Sequence, residues 1–113
     1  RDKVIKFLEA SLNGLGFNQT EKTDFITFWA PKMLKSNFVF VQFIWDEDYD
    51  KQIATLDVSP KPDASRRVYM YFKGYDALPE IETTTQSFEG FERKGFTLFE
   101  WGGTEIKTQK FKL

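Results

Sequence analysis

The spacing of hydrophobic residues predicts helices in the first part of the chain and strands after it. Over residues 2–13 the hydrophobic positions recur at helical spacing, with lysine and glutamate on the other side. A second helix is predicted over residues 19–35, because Asn18 and Glu21 have the spacing of a capping box. Pro31 has no amide proton, so we expect it to kink or interrupt this helix.

From residue 38 onward the pattern is typical of β-strands. Residues 38–45 (FVFVQFIW) are aromatic or β-branched on both faces, which indicates a central strand covered on two sides. The acidic residues 46–50 are expected to form a loop. Hydrophobic runs and alternations predict further strands over residues 53–58, 67–73 and 95–101, and a less regular strand or crossing over 80–88.

Two helices followed by four or five strands predict the α+β class, with both helices packed on one face of a mainly antiparallel sheet. The length of 113 residues and the 41% of hydrophobic residues suit a single domain, 1–113, with its own core. The chain begins with Arg1 rather than methionine, which favours a segment of a longer product.

The residue types that are missing limit the chemistry that we expect. The chain has no histidine and no cysteine, so it cannot assemble imidazole-dependent or thiol-dependent catalysis or a thiolate metal site by itself. We therefore predict that it is not an enzyme and has no cofactor. The formal net charge of −1 argues against a nucleic-acid partner, and no apolar run is long enough for a transmembrane segment.

The acidic residues after the first predicted strand fit part of a calcium-binding loop. Asp46, Asp48 and Asp50 fit positions one, three and five of such a loop, and Asp57 fits position twelve. Position six, which requires glycine, is Lys51, and the flanking segments are predicted as strands rather than helices. We therefore prefer a solvated acidic loop at the end of a hairpin, with calcium binding as the alternative.

Arg67 and Glu100 lie on two of the predicted strands. If those strands are neighbours, the two side chains can form charge-assisted hydrogen bonds across the sheet. We prefer a structural ion pair that fixes the register of the strands. The alternative is that the pair forms the polar floor of a ligand-binding groove.

Trp101 precedes two glycines and is the residue best suited to stack on a sugar ring, with Glu100 and Glu105 as nearby carboxylates. We prefer a tryptophan packed over the core at the end of a strand, because most large aromatic side chains are substantially buried. A hydrolase that uses the two glutamates as paired carboxylates is a further alternative, and it would need a cleft in which the two acids face each other.

Residues 93–103 (RKGFTLFEWGG) resemble the closing signature of an uncharacterised family of bacterial secreted or envelope-anchored, lipoprotein-like domains. Phe28 departs from that family's pattern, which more often has tyrosine there. The resemblance implies an extracytoplasmic location and a single fold, and it does not supply a function. Four further elements match in the same order: Leu15-Gly16-Phe17-Asn18 with Glu21, Phe28 and Trp29 with Pro31, Pro60 and Pro62 with Asp63, and Arg67 and Val68 with Met70.

These observations predict a non-catalytic extracytoplasmic module for interaction or assembly, as part of a larger bacterial envelope protein. Tyr69 and Tyr71, on one face of a predicted strand, suit an interface with a partner. The sequence does not identify that partner, which is either a protein or a glycan. The alternative function is a carbohydrate-binding domain that uses Trp101 and the nearby carboxylates.

Overall fold

The computed structural model describes residues 2–80 and 85–107 of the chain. The predicted α+β class and the two N-terminal helices are confirmed. The sheet of the described residues has three strands, so the predicted four or five strands are not confirmed. In chain order the elements are α1 (Asp2–Gly14), α2 (Gln19–Met33), β1 (Phe38–Trp45), α3 (Glu47–Gln52), β2 (Ala64–Tyr75) and β3 (Thr97–Glu105).

The sheet has the order β1-β2-β3 and is mixed rather than mainly antiparallel. Strands β1 and β2 pair antiparallel, with Phe43 opposite Met70. Strands β2 and β3 pair parallel, with Arg67 opposite Glu100. The predicted antiparallel arrangement is wrong for β3 because a long connection, residues 76–96, separates it from β2. Parallel neighbours need such a crossover, whereas a short turn joins antiparallel neighbours.

The connection passes the outer edge of β1 and the end of α1 before it enters β3. The Gln86 side chain accepts a hydrogen bond from the Phe43 amide at 2.8 Å and donates one to the Phe43 carbonyl at 2.9 Å. Phe88 packs edge-on against Phe43, with 5.7 Å between ring centroids. Farther along, Phe91 packs against Gly16, whose φ of +91° and lack of a Cβ permit this close approach.

The predicted strand over 53–58 is wrong. These residues follow α3 as a turn and an irregular segment. The alternation of apolar and polar residues does not correspond to a buried face here, since Ile53 and Leu56 are 39% and 45% exposed. The Ala54 carbonyl accepts a hydrogen bond from the guanidinium of Arg67 at 2.7 Å, and this side-chain contact replaces the pairing that a strand would make.

The segment predicted over 80–88 falls partly outside the described residues, because residues 81–84 are not among them. Residues 85–88 form no strand. There, Gln86 bonds β1 through its side chain rather than through its backbone. Two other predicted strands are found with altered bounds. The strand predicted over residues 67–73 lies within β2, and the strand predicted over 95–101 lies largely within β3.

The acidic residues 46–50 were predicted to form a loop, and most of them instead form the helix α3. Three acidic side chains occupy its first turn, where carboxylates interact favourably with the helix N-terminus. Tyr49 is the buried residue of α3, and its ring packs edge-on against Tyr69 with 5.7 Å between centroids. A helix this short has no hydrophobic period to detect, so the prediction missed it.

Helix α2 ends at Met33, two residues before its predicted end. The predicted capping box is present, since the Asn18 side chain accepts from the Glu21 amide at 2.8 Å and the Glu21 side chain accepts from the Asn18 amide at 2.9 Å. Pro31 lies in the last turn, and the helix continues past it to Met33. A proline so close to the C-terminal end leaves few helical hydrogen bonds to lose beyond it.

Helices α1 and α2 pack on one face of the sheet and enclose the hydrophobic core with it. Phe25 of α2 connects the layers, with its ring centroid 5.0 Å from that of Trp101 on β3 and 6.5 Å from that of Phe43 on β1. These edge-on and tilted arrangements are favourable for aromatic rings. The buried hydrophobic residues of the core are Leu8, Leu12, Leu15, Phe17, Phe25, Trp29, Ala30, Met33, Phe43, Val68, Met70 and Phe72.

We predict that a side chain at Gly103 of β3 destabilises the fold, because Trp29 packs directly on this glycine. A Cβ at Gly103 would lie 2.7 Å from Trp29 Cζ2 and 3.1 Å from the Met70 carbonyl oxygen. Overpacking destabilises by about 1–3 kcal/mol, so Gly103→Ala should lower the free energy of unfolding by this amount in a urea titration. Gly90→Ala is the matched control, since nothing lies within 4 Å of a Cβ there. Equal effects of the two substitutions would contradict the packing argument.

Candidate functional site

Arg67 lies on the face of the sheet opposite α1 and α2, and its guanidinium group is engaged through all three nitrogens. Its Nε and Nη2 donate to Glu100 Oε1 at 3.1 and 2.9 Å. Its Nη1 donates to Asp50 Oδ1 and to the Ala54 carbonyl, both at 2.7 Å. The group also lies 4.1 Å from the centroid of the Tyr49 ring. The predicted ion pair of Arg67 with Glu100 is confirmed, and these contacts leave little of the guanidinium for a ligand.

The four residues predicted to bind a ligand do not converge on one site. Side chains alternate between the two faces of a strand, so Glu100 contacts Arg67 while Trp101 faces the helices. The half-buried Trp101 ring packs edge-on against Phe25 at 5.0 Å, which agrees with the preferred core position. Glu105 lies an odd number of residues from Glu100 on β3, which places the two on opposite faces.

A second acid does lie near Glu100, but it is Asp50 rather than Glu105. The guanidinium of Arg67 bridges the Asp50 and Glu100 carboxylates, at 2.7 and 2.9 Å respectively. The carboxylates of a glycosidase face each other across a cleft that admits the substrate. Here the side chain of Arg67 lies between the two carboxylates, in the place where a glycosidase would bind its substrate.

Two of the acids considered for calcium binding have arginine partners. Asp46 Oδ2 accepts from Arg66 Nε at 3.2 Å, and Asp50 binds the other arginine of the pair. Within the part of the chain that the structure describes, no three acidic side chains are grouped so as to hold a metal ion. The remaining two candidates, on α3 and in the irregular segment after it, are Asp48 and Asp57.

Arg66, the neighbour of Arg67 on β2, is 3% exposed and was not identified from the sequence. Its Nη1 donates to the carbonyl oxygens of Leu15 and Glu89, at 2.9 and 2.6 Å. Arg66 therefore connects the end of α1 and the long connection to β2. Two consecutive arginines in a strand were the available signal, because their side chains must leave on opposite faces.

The cluster around Arg67 affects the ionisation of two groups. Burial raises the pKa of Tyr49 above its ordinary value of 10.0, and hydrogen bonding to Glu100 raises it further. For Arg67, burial lowers the pKa, but hydrogen bonds to Glu100 and Asp50 outweigh that effect and raise it. The cluster therefore favours a neutral phenol beside a charged guanidinium, which is the pairing that a cation–π contact requires.

The two tyrosines predicted to suit an interface lie on the same face as Arg67, and both are half-buried. The rings of Tyr69 and Tyr71 meet edge-on, with 5.2 Å between centroids. The Tyr69 hydroxyl hydrogen-bonds the hydroxyl of Thr104 on β3. These contacts show that Tyr69 helps to join β2 to β3, in addition to any part that it takes in an interface.

A groove of about 960 Å³ lies between residues 3–11 of α1 and residues 38–42 of β1, and we call it the β1 groove. Its volume is at the upper end of the range of about 300–1,000 Å³ that is typical of ligand sites. Phe7 and Phe38, which line it, are 44% and 41% exposed. The groove was not predicted from the sequence.

One wall of the β1 groove is a strand edge. The prediction of a central strand here is wrong for the described sheet, in which β1 pairs with β2 alone. Phe43 directs its amide and carbonyl outward, to Gln86, so Val39 and Val41 direct theirs outward as well. Among the residues that the structure describes, no backbone group pairs with these two valines on that side.

Comparison with protein-family models, curated proteins and solved structures finds no match for this chain. The resemblance carried by residues 93–103 therefore stays a prediction. None of the helices described is long and hydrophobic enough to cross a bilayer. The geometry of the Arg67 cluster and of the β1 groove is the basis for the function proposed below.

We predict that Arg67→Met destabilises the fold, because it leaves the carboxylates of Asp50 and Glu100 close together without their shared cation. Hydrogen bonds to charged groups contribute about 1.5–3 kcal/mol, and these acids are partly exposed, so we expect a loss of about 2 kcal/mol in a urea titration. Lys51→Met is the control, since Lys51 forms an exposed pair with Glu47 at 3.1 Å and should not affect stability measurably. An equally small effect of Arg67→Met would contradict the structural role of the cluster.

Proposed function

We propose that the chain is a non-catalytic interaction module that binds a partner protein in the β1 groove. The observation that carries the proposal is an open hydrophobic groove of about 960 Å³, with Phe7 of α1 and Phe38 of β1 in its lining. Phe7 and Phe38 stay 44% and 41% exposed there, and covering such apolar surface is a main source of association free energy.

The charge of Lys3 indicates which residue types the partner segment would contain. Lys3 lies at the groove, and no aspartate or glutamate is among the described residues that line it. A segment that combines hydrophobic side chains with at least one carboxylate would cover the apolar wall and meet the lysine ammonium group. We therefore propose a partner segment of this composition.

The polar clusters support binding rather than catalysis. The cation of Arg67 is occupied by Asp50, Glu100 and a backbone carbonyl, which is a common arrangement for a structural ion pair. The chain also contains no histidine or cysteine that could supply a proton-transfer group or a nucleophile near neutral pH.

We further propose that the module acts outside the cytoplasm, as part of a larger bacterial envelope protein. The resemblance of residues 93–103 to lipoprotein-like domains supports this location. Fractionation of source cells that express the full-length product should recover it in the envelope or the medium, and recovery in the cytosol alone would contradict the proposal.

The contacts of Trp101 and Glu100 do not favour the carbohydrate-binding alternative. The Trp101 ring is packed against Phe25, and Glu100 projects from the other face of the sheet toward Arg67. A sugar stacked on this tryptophan could not contact that carboxylate at the same time. A protein segment in the β1 groove is therefore the function that we propose.

Photo-crosslinking in the source cells tests the groove as a binding site. Benzoylphenylalanine in place of Phe7 should give a discrete product with one partner protein, because Phe7 is exposed in the groove. The same group in place of Phe28, which is 51% exposed and not part of the groove, is the matched control and should not give this product. Lys3→Glu should reduce the yield from position 7. Equal crosslinking from both positions, or none from position 7, would refute the proposal.

A further inference from the structure

We infer that residues 47–62, which include α3, form a flap that opens as a unit from the outer face of the sheet while the rest of the chain stays folded. The outer face is the face opposite α1 and α2. Opening removes the Tyr49 ring from that of Tyr69 and releases Nη1 of Arg67 from its partners in the flap. The flap therefore controls access to this part of the outer face.

The residues that precede and follow the flap are both anchored. Asp46 bonds the two consecutive arginines of β2 through its carboxylate, and its amide donates to the Arg67 carbonyl at 2.8 Å. Asp63 donates its amide to the Phe96 carbonyl and accepts from the Phe96 amide through its carboxylate, each at 2.8 Å. These bonds involve no atom of residues 47–62, so they can persist when the flap opens.

The flap has little structure of its own to keep it closed. The helix α3 has six residues, and its N-cap residue Asp46 makes no side-chain capping bond. Isolated helices shorter than about 12–15 residues are marginal in water, so α3 depends on its contacts with the sheet. The segment after α3 is irregular, and its hydrophobic side chains Ile53 and Leu56 are exposed.

The contacts that hold the flap against the sheet meet at Arg67. Its Nη1 donates to Asp50 Oδ1 and to the Ala54 carbonyl, both at 2.7 Å. Its guanidinium also lies 4.1 Å from the centroid of the Tyr49 ring, which packs on Tyr69 as well. Because these contacts share one side chain, they are lost together, and we expect the flap to open in one step.

The buried hydrophobic residues of the outer face are separate from the main core. Ile44 and Tyr49 are buried, but neither belongs to the core cluster between the helices and the sheet. Ile44 follows Phe43 in β1 and therefore faces the opposite side of the sheet. Loss of this small group leaves the main core intact, and such local openings require less free energy than global unfolding.

Native-state hydrogen exchange, followed residue by residue by NMR, tests the inference. The Ile53 amide reports on the flap, because it donates to the Tyr49 carbonyl at 2.9 Å within it. The amide of the buried Met70 on β2, the middle strand of the described sheet, reports on the rest of the fold. Opening of the flap exposes little surface, so exchange at Ile53 should depend weakly on urea, whereas exchange at Met70 should depend on it strongly.

Three variants separate the flap from the core. Asp50→Ala removes the carboxylate that the flap offers to Arg67 and should accelerate exchange at Ile53 about tenfold. Asp48→Ala is the matched control, since Asp48 is an exposed acid of the same helix, and it should leave this rate unchanged. Gly103→Ala weakens the core and should accelerate exchange at Met70 but not at Ile53.

The inference is overturned if Ile53 and Met70 show the same urea dependence and the same response to Gly103→Ala, because the flap would then open only with the whole fold. An unprotected Ile53 amide in the unaltered chain would contradict the closed state. Equal rates at Ile53 in Asp50→Ala and Asp48→Ala would contradict the role of Arg67 in holding the flap closed.

Discussion

Two consecutive buried arginines on β2 connect most of the structure. Neighbouring residues of a strand face opposite sides, so Arg66 bonds the end of α1 and the long connection, while Arg67 bonds α3, the segment after it and β3. A buried guanidinium that lacks partners is strongly unfavourable. The segments that carry the matching oxygen atoms must therefore return to β2. In this way Arg66 and Arg67 position segments on both faces of the sheet.

Asp46 makes the side-by-side burial of these arginines possible. Its carboxylate accepts from Arg66 Nε at 3.2 Å and from the Arg67 amide at 3.0 Å, and its own amide donates to the Arg67 carbonyl at 2.8 Å. Its φ of +55° is unusual for a residue other than glycine, and such conformations are unfavourable by about 1–3 kcal/mol. Three hydrogen bonds to the arginine pair offset this strain. Asp46, whose spacing fits the first position of a calcium loop, therefore belongs to a hydrogen-bonded network with the two arginines.

The features that could be predicted from the sequence are those set by nearby residues or by strand alternation. The capping box at Asn18 is local, and the contact of Arg67 with Glu100 needs only that two strands are neighbours. The helix α3, the irregular segment after it and the parallel direction of β3 depend on distant contacts. The bond between the Ala54 carbonyl and Arg67 is an example, since no pattern within residues 53–58 indicates that an arginine on another strand will bind there.

The β1 groove could not be predicted because FVFVQFIW, with aromatic or β-branched residues on both faces, favours a central strand. In the sheet of the described residues β1 is an edge, because the connection after β2 carries β3 to the far side of β2. Natural proteins usually protect an edge with charges, prolines or bulges, since an exposed hydrophobic edge promotes aggregation. β1 contains no proline and no charged residue, and the side chain of Gln86 covers its backbone at Phe43. Part of the protection that β1 lacks in its own sequence therefore comes from Gln86, a residue of the long connection.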